Sequence, residues 1–325
     1  MRDIIVIGGS TGAIEVLAEI CANFPANLAA AVFVVVHVGS SGNDLLAGIV
    51  DRRGPLRAIM AVDEAPIERG TITVAPADHH LLVMTDQIRL GRGPRENMTR
   101  PAIDPLFRSA AISHGPQVIG VLLSGMLNDG SAGLAAIKRC GGVAVVQNPS
   151  DARADEMPLS ALRACDVDYR ARTVEFGGLL TRLAREPAGA AVPIPPDIAL
   201  EVAIALGTAL DTPAIRKIAD PVALTCPACG GVLSELQSKP PLRFRCQTGH
   251  GFTAEILDQQ QSGPTEQAIM VALRIVQERA TLTERMAQEA RAGGRNHSAS
   301  MLEQRLEELR KHAEQLRQVA INARY

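Results

Sequence analysis

The feature that most constrains this chain is a short apolar run that stops on glycines and restarts as a helix. Ile4, Ile5, Val6 and Ile7 read as a strand buried on both faces. Gly8, Gly9, Ser10, Thr11 and Gly12 follow, and then an amphipathic stretch, 13–21, that predicts a helix. A strand that turns straight into a helix places its turn at the carboxyl edge of a parallel sheet, where α/β proteins build their sites. The glycines remove the Cβ atoms that would obstruct so sharp a turn. Two readings fit Ser10. Its hydroxyl caps the helix N-terminus, or it is a nucleophile, provided that a histidine and a carboxylate lie beside it.

The same alternation continues to about residue 183. Residues 30–37 form a β-branched run ending in His37, and 43–52 read as a helix capped from within 41–43. Short strands at 58–62, 71–75, 80–84 and 87–91 are spaced so closely that they predict hairpins beside the main sheet. A helix at 104–114, a buried strand at 117–123, a helix at 131–139 and a strand at 142–147 complete the pattern. The fold class is α/β: a doubly wound, mostly parallel sheet in three Rossmann-like layers.

Ser10, His37 and Asp129 share one structural address, each at or just past the end of a predicted core strand. In a parallel sheet those ends line up along one edge. A hydroxyl, an imidazole and a carboxylate there supply a nucleophile, a general base and its orienting partner. Taken singly, His37 also reads as a hydrogen-bonded edge histidine, and Asp129 as a cap for the helix that starts near Ser131.

Several separated motifs then agree with one family. Ile7-Gly8-Gly9-Ser10-Thr11-Gly12, Val36-His37, Arg100-Pro101-Ala102-Ile103-Asp104-Pro105-Leu106-Phe107, the run from Gly120 to Gly130, and Met157-Pro158 resemble, in order and spacing, the catalytic domain of the chemotaxis protein-glutamate methylesterases (the CheB type). The resemblance covers 1–185. It implies that Ser10 attacks a methyl ester on a receptor glutamate, that His37 is the base and Asp129 its orienting partner. It also implies that the Met126 N–H helps to hold the oxyanion, that Thr11 supports the histidine, and that receptor glutamines can be deamidated. No cofactor is needed for such a step. Ala13, Ser124 with Leu127, and Val38-Gly39-Ser40-Ser41 depart from the common family pattern, all near the expected cleft. The receiver domain of well-known members is not expected here, because the chain starts at the catalytic strand.

Beyond 1–185 the chain reads as a linker and an unassigned stretch (186–222), a cysteine-rich segment (223–257) and a helical region (264–325). Cys226 and Cys229 form a C-x2-C pair, and Cys246 and His250 form a C-x3-H pair after sixteen further residues. Four such ligands in two knuckles suit a closed, structural Zn²⁺ site in a zinc-ribbon-like segment; the alternative is a small metal-free hairpin pair with spare thiols. His79 and His80 read as structural or cleft-wall residues. Arg100 and Asp104 either line the groove or pair across one helical turn. Leu302, Leu306, Leu309, Ala313, Leu316 and Ala320 repeat at the 4-3 spacing of a coiled-coil seam, so the tail predicts a helical hairpin able to dock a regulatory protein.

Composition narrows the rest. A net charge of −2 offers no bulk attraction to nucleic acid, and 2% aromatics without Trp leave no base-stacking platform. No apolar run reaches a membrane span, no signal peptide is evident, and scattered cysteines suit a reducing compartment, so a cytoplasmic protein is expected. The runner-up to an esterase is a catalytically silent, esterase-like adaptor. A nucleotide-binding domain is a weak third reading, because Gly-Gly-Ser-Thr-Gly matches neither the dinucleotide fingerprint nor the P-loop.

Overall fold

The computed structural model describes residues 1–37, 43–209 and 212–322. The expected helix cap begins at residue 41, outside them. The chain divides into two compact units, Met1–Ile256 and Leu257–Tyr325.

The first unit is built on a parallel sheet. Its strands are β1 (Ile4–Gly9), β2 (Ala31–Val36), β3 (Arg57–Met60), β4 (Thr71–Val74), β7 (Val118–Leu122), β8 (Val143–Gln147) and β9 (Tyr169–Ala171), in the order β3-β4-β2-β1-β7-β8-β9. Side chains alternate between two apolar layers, as the period of a strand requires. Ile5, Ile7, Val32, Val34, Ile119 and Val121 face one layer, covered by α1 (Ala13–Ala22), α2 (Asn43–Asp51) and α6 (Phe176–Arg185). Ile4, Val6, Phe33, Val35 and Leu122 face the other, covered by α3 (Ile103–His114), α4 (Ser131–Arg139) and α5 (Glu156–Ala164). Each such aliphatic contributes about 1.5–3 kcal/mol when fully buried.

β1 is central. The chain winds from it through β2 to one edge and later returns to β7 on its other side. The order therefore reverses between β1 and β7, the switch point where doubly wound sheets open a crevice.

One expectation is corrected here. The strands near 58–62 and 71–75 do not form hairpins. β3 pairs parallel with β4, and β4 with β2. Residues 61–70 carry the chain back along the sheet, so both strands join it in the same direction. Only β5 (His80–Val83) and β6 (Ile88–Gly91) form an antiparallel hairpin of the expected kind.

The stretch left unassigned from sequence holds α7 (Pro196–Leu206) and α8 (Thr212–Ile215). A four-stranded antiparallel sheet follows: β10 (Ala219–Thr225), β11 (Val232–Leu236), β12 (Arg243–Cys246) and β13 (Gly251–Thr253). It belongs to the same compact unit as the parallel sheet.

The second unit is helical. α9 (Ala254–Ala292) enters it, and α10 (Asn296–Asn322) follows a turn at Gly293 and Gly294. Arg291 pairs with Glu303 and Arg310 with Glu284, so the helices run antiparallel. Leu306, Leu309, Ala313 and Ala320 are buried, as are Ala287 and Ala290 on α9. No helix among the described residues is long and apolar enough to cross a membrane.

Candidate active site

Register fixes the first two residues. Gly9 is the Cα partner of Val36, and the His37 N–H donates to Gly9 O at 3.0 Å, so Ser10 and His37 leave neighbouring strand ends at one level. On the other side the Ser10 N–H donates to Ser124 O at 2.9 Å. Ser10 thus stands at the end of β1, flanked by the ends of β2 and β7 and beside the switch point. It is not a helix cap: α1 is preceded by Gly12, whose φ of 80° is one that glycine adopts without strain, and only the backbone carbonyl of Ser10 reaches the first turn. Gly125 makes room for it, because a Cβ there would lie 2.9 Å from Ser10 Cβ and 2.8 Å from Met157 Cε.

The carboxylate comes from the β7–α4 turn. His37 Nε2 lies 3.0 Å from Asp129 Oδ2. Asp129 does not cap α4. Its Oδ2 accepts the Ile103 N–H at 2.6 Å and its Oδ1 the Asp104 N–H at 3.3 Å, at the start of α3, where the helix dipole favours negative charge. Asn97 Nδ2 adds a third donor to Oδ1 at 2.9 Å. Burial pushes this carboxyl up, but the hydrogen bond and charge of His37 and the Ile103 and Asn97 donors outweigh it and hold the group below the usual carboxylate range. The neighbouring Asp104 goes the other way, to about 7, because burial and the charge of Asp129 both favour its proton.

Met126 is exposed, and no acceptor takes its N–H among the described residues. The flanking donors are engaged, Gly125 N–H with Ala154 O at 3.0 Å and Leu127 N–H with Glu156 Oε2 at 2.7 Å. Thr11 is exposed at the turn, where its carbonyl accepts the Ser124 hydroxyl at 2.7 Å. The threonine near His37 is Thr99, whose Oγ1 is 3.4 Å from Nε2. Among the described residues no hydrogen bond joins Ser10 Oγ to His37.

The smaller candidates resolve as structural. His80 is fully buried, accepts the Ala102 N–H and faces Pro94 O, while His79 accepts from Arg92 Nε at 2.9 Å. Arg100 pairs with Asp78 at 2.7 Å instead of Asp104, and Asp104 accepts the Gly133 N–H.

Cys226, Cys229, Cys246 and His250 converge, with all four ligand atoms within 4.8 Å of one another. A tetrahedral zinc ion sets S···S edges of about 3.8 Å and S···N edges of about 3.6 Å. Cys229 and Cys246 sulfurs lie 3.7 Å apart, and His250 Nδ1 lies 3.5 Å from Cys246 and 3.9 Å from Cys226. The donor set fits such an ion. Burial acts to raise the Cys229 thiol, yet hydrogen bonds from Thr248, the Gly231 N–H and His250 bring it down to about 6, toward the thiolate a metal needs.

Behind both sites lies a charge network that sequence reasoning missed. Glu201 of α7 is buried against Arg243 at 2.8 Å and Arg245 at 2.9 Å, and Glu96 pairs with Arg108 at 2.5 Å and Arg245 at 3.1 Å. A glutamate inside the apolar run of 198–206 was the available signal, since a buried carboxylate needs cations.

A hydroxyl, an imidazole and a carboxylate gathered at the switch point of a doubly wound parallel sheet define an α/β protein with the groups for acyl transfer. Comparison with known proteins agrees. The family model for CheB methylesterase matches residues 5–178, so the chain belongs to the CheB methylesterase family, a family of carboxylic ester hydrolases. A putative protein-glutamate methylesterase/protein-glutamine glutaminase of Leptospira interrogans is 35% identical over 180 residues, 55% of this chain and 93% of the relative. A protein-glutamate methylesterase/protein-glutamine glutaminase of Nocardioides is 36% identical over 197 residues, 58% of this chain but 54% of that protein. The chain spans about half the length of this and several other curated relatives. The catalytic domain of Thermotoga maritima CheB methylesterase superimposes with a TM-score of 0.55 at 29% identity, over 56% of this chain and 99% of that one.

Proposed function

We propose that this protein is a serine hydrolase that demethylates glutamate methyl esters on a chemotaxis-type signalling receptor, releases methanol, and deamidates receptor glutamines by the same route. The observation that carries the reading is the His37–Asp129 contact of 3.0 Å at the strand end beside Ser10.

With Nε2 held by Asp129, Nδ1 of His37 is the nitrogen left to act as base. It takes the Ser10 proton as Oγ bonds to the ester carbonyl carbon, and returns it to the departing methoxide oxygen. Water then attacks the acyl-enzyme with His37 again as base, freeing the glutamate and restoring Ser10. Asp129 fixes the imidazole tautomer and stabilises the imidazolium. The free Met126 N–H serves the oxyanion, a role worth about 3 kcal/mol per donor. Thr11 flanks the nucleophile at the mouth of the site, and Thr99 helps to seat the imidazole.

Residues 1–185 form the methylesterase domain in this reading. Cys226, Cys229, Cys246 and His250 hold a structural Zn²⁺ within 223–257. With four protein ligands the ion has no open position for substrate, so it supplies folding energy and not chemistry. Within 264–325, α9 and α10 pack as a coiled-coil-like hairpin that docks a regulatory protein. The substrate is a receptor's signalling domain, which places the reaction in the cytoplasm.

The test separates an enzyme from a silent adaptor. A serine-directed fluorophosphonate is added to the full chain and the adduct is located by peptide mass spectrometry. The reading expects one adduct at Ser10 that Ser10→Ala abolishes. An unmodified Ser10 at neutral pH overturns it in favour of the adaptor.

A further inference from the structure

The Cys/His sheet reaches the esterase site through one residue. Asn97 lies in the loop before α3, 6% exposed, with φ at 52°, a left-handed value that asparagine tolerates better than most side chains. Its N–H donates to Gly251 O at 2.8 Å, and its Oδ1 accepts the Thr253 N–H at 3.1 Å. β13 therefore grips both its backbone and its amide. The remaining amide group, Nδ2, donates to Asp129 Oδ1 at 2.9 Å and also reaches Asp104 Oδ2 at 3.4 Å.

Gly251 directly follows His250. Four consecutive links thus run from the cysteine cluster to the imidazole: His250 to Gly251 through the chain, then Asn97, Asp129 and His37 through hydrogen bonds. A second strap runs alongside. Thr253 Oγ1 donates to Asn128 Oδ1 at 2.6 Å, and Asn128 Nδ2 donates to Glu255 Oε2 at 2.5 Å. Asn128 is the residue before Asp129. The knuckle itself is braced from behind, since Arg245 donates to Gly249 O at 2.7 Å and to Glu201.

We propose that Asn97 is a positioning residue for the ester hydrolysis, and that the 223–257 segment serves the active site by holding Asn97 against Asp129 and by tying down Asn128, the residue before it. The proposal rests on the reading of Ser10, His37 and Asp129 as the reacting groups. A carboxylate that must orient an imidazole is useful only if its own rotamer is fixed. Ile103 fixes Oδ2, the oxygen that meets His37, and Asp104 and Asn97 together fix Oδ1. The Asn97 donor also withdraws charge from Asp129, so it tempers how strongly that carboxylate favours the imidazolium over the neutral base.

The test measures the rate at which the fluorophosphonate labels the full chain from pH 5 to 9. In that reaction the Oγ–P bond forms, the P–F bond breaks, fluoride departs and the Ser10 proton passes to His37. The rate is expected to rise with pH as the site loses a proton, which gives both an amplitude and a midpoint; Asp104, raised to about 7 beside Asp129, titrates in the same range, and loss of the Asn97 donor acts on it in the same upward direction. Asn97→Gly accepts the left-handed backbone and removes the amide. It is expected to slow labelling on the order of ten- to a hundredfold, the worth of one hydrogen bond to a charged group. The midpoint should move to higher pH, because Asp129 with one donor fewer holds the imidazolium more strongly. Asn97→Asp keeps the shape and the acceptor for Thr253 but sets a second carboxyl against Asp129, so its midpoint should move further up. Thr253→Val removes only the strap to Asn128, with a loss of a few-fold.

A lower amplitude with an unmoved midpoint in both Asn97 variants would mean that the residue merely supports the fold, and overturns the proposal. So would parent rates throughout. If Ser10→Ala still takes up the phosphonate at the parent rate, the nucleophile assignment fails and this inference falls with it, a result separable from the Asn97 outcome.

Discussion

The edge of the parallel sheet and the four-stranded Cys/His sheet sit in one compact unit but are held together by different physics. At the edge, backbone register does the positioning. β1 lies between β2 and β7, both neighbours are aliphatic, and Ser10 and His37 are delivered to their places by ladder hydrogen bonds that the core enforces. The Cys/His sheet has few apolar side chains of its own. It gathers instead a cluster of four metal-type ligands, and Arg243 and Arg245 paired with Glu201 and Glu96. A site built on register tolerates surface change and fails when a turn is obstructed. A segment built on charges and ligands fails when one partner is withdrawn.

The largest effect expected from breaking the first arrangement is at Asp129. Asp129→Asn presents an amide where His37 needs an acceptor, which favours the wrong tautomer. The labelling rate of Ser10 should fall by about 10⁴, with the fold retained by circular dichroism. The matching change on the other side is removal of the proposed zinc. A strong chelator should open the amides of β11 to β13 to hydrogen exchange, by several powers of ten on the scale of structural zinc, while β1 and β7 stay protected. Equal protection of both regions would contradict the contrast.

Glu201→Gln comes next. It leaves Arg243 without its carboxylate and Arg245 with Glu96 alone, and breaking a buried pair in this way costs about 3–5 kcal/mol, read as a shift in the denaturation midpoint. Gly125→Ala tests the edge with a single methyl group. Met157 can swing aside, but Ser10 Cβ cannot move without taking the nucleophile along. A ten- to hundredfold drop in labelling is expected, roughly the penalty for an ångström of misplacement, with a smaller change in stability.

Acid produces the gentlest effect near neutrality. Asp129, Glu96 and Glu201 are buried, which acts to raise their carboxyls, but their cationic and hydrogen-bonding partners hold all three low. Such groups contribute stability that is complete above the unfolded carboxyl range, about 4, and is lost as pH falls through it. Denaturation midpoints should therefore be insensitive to these groups between pH 5 and 7 and fall steeply below 4. The Arg243 and Arg245 pairs with Glu201, beside its longer one with Arg108, make the Cys/His sheet the first region expected to lose protection.

What the sequence disclosed follows the same division. Strand ends are legible because burial leaves a pattern: aliphatic runs that stop on glycine locate Ser10, His37 and Asp129 without any knowledge of contact. The C-x2-C and C-x3-H spacings are legible because ligand chemistry restricts residue type. Direction was harder to read. β3 and β4 looked like hairpin strands, because a short connection does not reveal whether the chain turns back or crosses over. The capping readings of Ser10 and Asp129 failed for a similar reason. Each precedes a helix in sequence, yet Asp129 serves the N-terminus of a different one, α3. Asn97 left no trace of its role, and Glu201 showed only as a carboxylate that interrupts an apolar run. Their roles depend on β12 and β13, more than forty residues away from either, and only the folded chain brings them together.

The most direct test of the account is methanol release from a methylated chemotaxis-type receptor fragment, comparing the parent chain with Ser10→Ala at equal concentration. The account predicts steady release by the parent and a fall of at least about 10³-fold in the variant. Equal release by the two proteins would contradict it, whatever the geometry around His37.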